Sequence, residues 1–179
     1  MGVNTFTDLD LSEQRLGAIE ALGWTVPTPI QAEAIPPGLA GTDVVGIAQT
    51  GTGKTGAFMV PALERLRAGA GLQVLVLCPT RELAQQVADD TASLAMGTNI
   101  RTAAIFGGVG YGPQIEALES GFEVIVATPG RFIDHAHSKR VDLSSVNYLV
   151  LDEADRMLDM GFRPQIEEVL KGMPKKRQT

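Results

Sequence analysis

A chain of 179 residues, 44% hydrophobic and 20% charged, is long enough for one domain with a sizeable core and too short for two. Its net charge of −6 excludes a broad basic coat, so any nucleic-acid contact must come from a few placed groups and backbone donors. A single cysteine, Cys78, excludes an internal disulfide framework, and no apolar run approaches the roughly 18 residues of a membrane span.

Taken in chain order, five short apolar runs alternate with longer stretches of helical spacing. The runs are DVVGIA (43–48), QVLVLCP (73–79), RTAAIF (101–106), EVIVAT (123–128) and NYLVLD (147–152). Each is nearly continuous in Val, Ile, Leu and Ala, as strands buried on both faces are. Cys78 lies inside one of them and reads as a small core residue. Between the runs stand stretches such as TRELAQQVADDTASLAM (80–96), with apolar residues at helical spacing and Thr80 placed as the cap. Strands alternating with helices predict an α/β fold: a mainly parallel sheet, helices on both faces, and ligands gathered at the carboxyl ends of the strands. The last residues, KGMPKKRQT, stop a helix with Gly-x-Pro and continue into a basic stretch read as a solvated turn. With no signal-peptide pattern at the amino terminus, the expectation is a cytoplasmic monomer that meets no membrane.

Two of these runs end in chemistry. AQTGTGKT (48–55) follows the first run and opens a helical stretch, which is the context a phosphate-binding loop requires. Gly51 and Gly53 let backbone N–H groups approach phosphate oxygens, and the helix amino terminus adds partial positive charge. Lys54 can reach the β- and γ-phosphates, and the Thr55 hydroxyl can ligate Mg²⁺. Ala48 stands where the general pattern opens with Gly. YLVLDEAD (148–155) ends its run in Asp152, Glu153 and Asp155. Acids favour a helix amino terminus by about 0.3–1 kcal/mol each, which accounts for Asp155. With a Gly-rich Lys-Thr loop in the same chain, Asp152 is placed to hold Mg²⁺ through water, and Glu153 to orient or deprotonate an attacking water.

These two motifs stand among six whose order resembles the amino-terminal RecA-like domain of DEAD-box RNA helicases, over almost the whole chain. GWTVPTPIQ (23–31) is similar to that family's adenine-reading Q motif, with Phe6 seventeen residues before Gly23 as its upstream aromatic. AQTGTGKT is the family's form of the phosphate loop, Ala48 included. PTRELA (79–84), Gly107–Gly108 and TPGR (128–131) match its RNA-backbone motifs, and DEAD (152–155) the motif that names it. The resemblance implies one RecA-like P-loop NTPase domain over 1–179, with a leading segment over about 1–31 and a core over 40–179.

The roles implied are these. Gln31 would pair with the N6 and N7 edge of adenine and reject guanine, because its amide both donates and accepts. Trp24 would stack on the base, and Gln49, Thr50, Gly51, Thr52, Gly53, Lys54 and Thr55 would cradle the phosphates of ATP or ADP with Mg²⁺. RNA would lie on Pro79, Thr80, Arg81, Gly107, Gly108, Thr128, Pro129, Gly130 and Arg131, through backbone contacts without sequence preference. Arg163 is open between an RNA contact and a surface-helix charge. Asp155 would contact another domain. His135 and His137 match no motif and are expected to be solvated.

The family pattern continues into a strand ending in Ser-Ala-Thr and a second RecA-like domain whose arginines complete the ATP site; these 179 residues include neither. A supplied arginine is worth roughly 10³–10⁵ in phosphoryl-transfer rate. The parent enzyme would couple ATP binding and hydrolysis to local RNA duplex unwinding or remodelling of RNA–protein complexes. This polypeptide by itself is expected to bind nucleotide, hydrolyse it poorly and not unwind RNA. In such a fold the Ser-Ala-Thr strand lies between the strands leading to AQTGTGKT and DEAD, so a gap is expected there. Two other readings are a non-catalytic nucleotide-dependent RNA clamp and a DNA helicase or translocase of the same superfamily, the latter disfavoured by the Q motif and PTRELA.

Overall fold

Four strands of four residues form one parallel sheet: β1 (Val74–Leu77), β2 (Thr102–Ile105), β3 (Val124–Ala127) and β4 (Tyr148–Leu151), in the order β2-β3-β1-β4. The structure, a computed structural model, describes residues 2–179. After a 3₁₀ turn (Phe6–Asp8) come α1 (Glu13–Ala21), α2 (Pro29–Leu39), α3 (Lys54–Arg65) and α4 (Arg81–Leu94). The rest are α5 (Tyr111–Ser120), α6 (Pro129–His137), α7 (Ala154–Asp159) and α8 (Arg163–Gly172).

The continuous apolar runs are buried on both sides because alternate residues serve different layers. Val74 and Val76 of β1, with Val124 and Val126 of β3, pack with Ile35, Met59, Val60 and Val87 from α2, α3 and α4. Leu75, Leu77, Ile125 and Leu149 point the other way, onto Phe132, Met157 and Val169 from α6, α7 and α8. Helix starts follow their caps: the Ser12 hydroxyl accepts from Arg15 N–H and the Thr80 hydroxyl from Leu83 N–H. The leading segment packs on the first layer through Phe6, Leu9 and Ile19. Arg15, 3% exposed, locks it there: its Nε lies 3.1 Å from Glu64 of α3, and its guanidinium donates to the Leu94 carbonyl of α4.

The expected strand at 43–48 is not formed. Among the described residues its one ladder contact is Val44 N–H donating to Thr179 O at 3.0 Å, and Val45 and Ile47 are each 95% exposed. A strand requires a neighbouring backbone, and here that neighbour is two residues long. Gln178 bridges Tyr148 of β4 in parallel, accepting from Leu149 N–H (2.9 Å) and donating to Asn147 O (2.8 Å). Thr179 then reaches Val44 and Asp43. Gln178 and Thr179 thus stand in the expected gap; residues 43 and 45–47 on one side of it are exposed, while Tyr148 and Leu149 on the other are buried, with Gln178 pairing to Leu149 N–H. The reading of the last residues as a solvated turn holds for Lys175 and Lys176 but not for Gln178, which is buried; its Nε2 donates to the carbonyls of Gly38 (2.9 Å) and Thr42 (2.8 Å).

Candidate functional site

The register of the sheet decides what meets at its carboxyl edge. Ile105 pairs with Ala127, Ala127 with Leu77, and Leu77 with Leu151. Phe106, Thr128, Cys78 and Asp152 therefore leave the sheet side by side, and the last three each donate an N–H to the end of the next strand at 2.9–3.0 Å. The loops carrying Gly107–Gly108, TPGR, PTRELA and DEAD emerge in that order along one edge.

The AQTGTGKT loop turns directly into α3, leaving the first N–H groups of that helix, from Lys54 and Thr55 onward, without helical partners. Gly53 caps the helix at φ 85°, and a Cβ there would meet Gln31 Nε2 at 2.6 Å. Gln31 is 3% exposed: its Nε2 donates to the Gly53 carbonyl (3.1 Å) and its Oε1 accepts from Thr28 N–H (3.0 Å). One N–H and one lone pair of that amide remain for a ligand. The Trp24 ring packs on α3 at Gly56, where an added Cβ would stand 2.7 Å from its Cζ3. Phe6 lies buried beside it, ring centroids 6.2 Å apart, so Phe6 supports Trp24. Thr52 steadies the loop by donating from Oγ1 to Gln49 O at 2.6 Å, and Gln49, Thr50 and Gly51 are exposed.

Asp152 stands at the end of β4, 8% exposed. Burial pushes its pKa up; the Lys54 ammonium pulls it back, and Glu153 pushes it further. A buried carboxylate short of positive charge, with the Thr55 hydroxyl as a second hard oxygen donor, fits a hard divalent cation. Glu153 caps α7 in the left-handed region (φ 53°, ψ 50°), and its carboxylate accepts from Arg156 Nη1 at 3.1 Å. Asp155 is exposed in the first turn of α7.

The remaining three loops form a track beside this site. Arg81, at the start of α4, pairs with Glu82 at 2.7 Å and lies against Gly108, where a Cβ would be 3.2 Å from its Nη1. Thr128 caps α6 with Gly130 in its first turn, while Pro79 and Pro129 are buried and shape their loops. Arg131 donates from Nη1 to Val109 O (3.0 Å) and to Gln114 Oε1 (3.2 Å), and its guanidinium lies 4.0 Å from the Tyr111 ring centre. Arg163 opens α8 in an exposed pair with Glu167 at 2.8 Å.

The expectation for the histidines is half right. His137 is exposed, 3.5 Å from Glu168. His135 is fully buried, with Nε2 3.0 Å from Gln114 Oε1, because one helical turn beyond Arg131 places it on the inward face of α6. Gln114 and Tyr111, which meet Arg131, belong to no motif. The legible signal was Gln114 itself, a polar residue four before Leu118 on the inward face of α5.

A parallel sheet with helices on both faces and a Gly-Lys-Thr helix start at its carboxyl edge define a RecA-like nucleotide-binding domain. The family model described as DEAD/DEAH box helicase matches residues 28–179. "DEAD-box ATP-dependent RNA helicase 30" of Arabidopsis thaliana is 47% identical over 180 residues, covering 97% of this chain and 30% of that protein. "ATP-dependent RNA helicase DBP2" of Chaetomium thermophilum is 46% identical over 183 residues, covering 99% of this chain and 33% of that protein. The crystal structure of a DEAD box protein from the hyperthermophile Methanococcus jannaschii superposes with a TM-score of 0.95 at 40% identity, over 99% of this chain and 49% of that one. The chain belongs to the DEAD/DEAH box helicase family, and it spans about a third of the length of these curated relatives.

Proposed function

We propose that this chain is the ATP-binding domain of an RNA helicase that couples nucleotide binding and hydrolysis to local duplex separation. The observation that carries the reading is the adjacency of β1 and β4: the strand ending in the Arg81 loop pairs directly with the strand ending in Asp152. Nucleotide and RNA would then occupy neighbouring stretches of one edge, so ordering either loop acts on the other through a shared ladder. In this reading the phosphate loop and Lys54 hold the β- and γ-phosphates, Gln31 reads adenine with its remaining donor and acceptor, and Trp24 flanks the base. Thr55 and Asp152 hold Mg²⁺, which supplies charge against the phosphates. Glu153 orients the water that attacks the γ-phosphorus and takes its proton as the bond to the ADP oxygen breaks. The RNA backbone lies on Thr80, Arg81, Gly108, Thr128, Gly130 and Arg131. Taken by themselves, these 179 residues would bind nucleotide and, without arginines supplied from elsewhere, would turn it over slowly.

Trp24 is the only tryptophan and reports the site directly. Adding ADP is expected to change its fluorescence and GDP to change it much less; equal responses would remove Trp24 and Gln31 from the base site. Lys54→Ala is expected to abolish the ADP response while leaving the unfolding temperature unchanged, and an unaltered affinity would refute the phosphate-loop assignment. ATPase assays with RNA, DNA or neither, on a longer polypeptide that includes the second domain, separate the three functional readings. RNA-only stimulation supports the helicase, DNA stimulation a translocase, and nucleotide-dependent binding without turnover a clamp.

A further inference from the structure

Arg131 is held by side chains that lie outside every motif. The amide of Gln114, 6% exposed, has its orientation set by chemistry: Nε2 lies 2.8 Å from the Phe106 carbonyl, which can only accept. Oε1 therefore faces the other way, where it meets Arg131 Nη1 at 3.2 Å and His135 Nε2 at 3.0 Å. Since Oε1 only accepts, His135 must carry its proton on Nε2. Its Nδ1 is then a bare acceptor, buried and unpartnered among the described residues. Tyr111 completes the set, with its ring against both Arg131 (4.0 Å) and His135 (5.5 Å) and its hydroxyl donating to Asp134 at 2.8 Å.

Stability does not account for this cluster. A buried amide and imidazole with one nitrogen unsatisfied cost more than aliphatic side chains of similar size. What the cluster does provide is a guanidinium tied at one nitrogen, Nη1, while Nε and Nη2 have no partner among the described residues. It also links that guanidinium to both ends of the Gly107–Gly108 loop, through the Phe106 and Val109 carbonyls.

We propose that Gln114 and His135 are positioning residues for RNA binding: His135 holds the Gln114 amide, and the amide holds Arg131 so that its free edge meets a backbone phosphate in register with the Gly107–Gly108 loop. The inference rests on the reading above that Arg131 contacts RNA. A preorganised arginine keeps affinity that a mobile one loses in ordering, roughly tenfold for one long side chain.

The test is a double-mutant cycle on the 179-residue chain, read by anisotropy of a labelled oligouridylate across a salt series, with ADP affinity and unfolding temperature reporting the fold. Gln114→Leu and Arg131→Met are each expected to weaken RNA binding about tenfold and to lower the salt slope by about 0.7, one single-strand phosphate contact. The double variant is expected to bind no more weakly than Arg131→Met. His135→Leu should weaken binding, and His135→Gln, which restores a donor facing Gln114 Oε1, should recover it. If Gln114→Leu does not fold, the His135→Leu and His135→Gln pair carries the same cycle with Arg131→Met. Additive losses, or a loss in Arg131→Met without one in Gln114→Leu, overturn the positioning role and leave the RNA track standing. No loss in Arg131→Met, or no RNA binding by the unaltered chain, overturns the track and the inference with it.

Discussion

Burial raises the pKa of Asp152 above the ordinary carboxylate value, with Lys54 opposing and Glu153 adding to the shift. Because the folded value lies above the unfolded one, this group's contribution to stability is intact below about 3.8 and is lost as pH rises through the folded value. Asp152→Asn is therefore expected to raise the unfolding temperature of the nucleotide-free domain near neutral pH, with the gain vanishing at pH values below the carboxylate range. The same variant should bind nucleotide with Mg²⁺ more weakly, and thermal scans at both pH values with a magnesium titration check the pair of effects. Glu153, given the water-orienting role in the proposed mechanism, would be a second place where function and fold conflict. A non-glycine residue at φ 53° stores strain of about 1–3 kcal/mol, and the pair it makes with the exposed Arg156 returns little of it. Glu153→Gly is expected to gain about 0.5–1 kcal/mol in urea unfolding, since the strain relieved exceeds the added chain entropy. If Glu153 is the group that takes the attacking water's proton, the same change should abolish turnover in a longer polypeptide that hydrolyses ATP.

At the scale of elements, DVVGIA and QVLVLCP are alike as text and different as structure. Val74–Leu77 has β3 on one side and β4 on the other, whereas among the described residues 43–48 has only Thr179. An apolar run states that a segment suits a sheet interior; only a partner makes it a strand. Gln178 holds this region together, with its Nε2 on Gly38 and Thr42 and its Oε1 accepting from Arg65. Gln178→Ala would leave these groups short of partners, at a cost of about 2–3 kcal/mol in urea unfolding. A loss under about 0.5 kcal/mol would show that water replaces those bonds. Helices were the more legible elements. Thr80 announces α4, and Gly53-Lys54-Thr55 announces α3, because caps are local chemistry.

Over the whole molecule, the net charge of −6 and a cationic track of two arginines give a definite salt law. If Arg81 and Arg131 are the phosphate contacts, RNA affinity should fall with a log–log salt slope of about −1.4, with little dependence on base sequence. A slope several times steeper would point to a wider basic surface, and a flat one would remove the arginines from the interface. The order β2-β3-β1-β4 fits the proposed division of labour along the edge, with the loops proposed for RNA after the first three strands and Asp152 after the fourth. The chain's own residues determined the phosphate loop, the DEAD cluster, the four runs that became β1 to β4, and the helix capped by Thr80, since each depends on neighbours within a few positions. Tertiary structure decided the rest: that 43–48 lacks a ladder, that His135 is buried, and that Gln114 joins Phe106 to Arg131. Those outcomes hang on hydrogen-bond partners that lie elsewhere in the chain, and such partners meet only when the register of the sheet brings their loops to one edge.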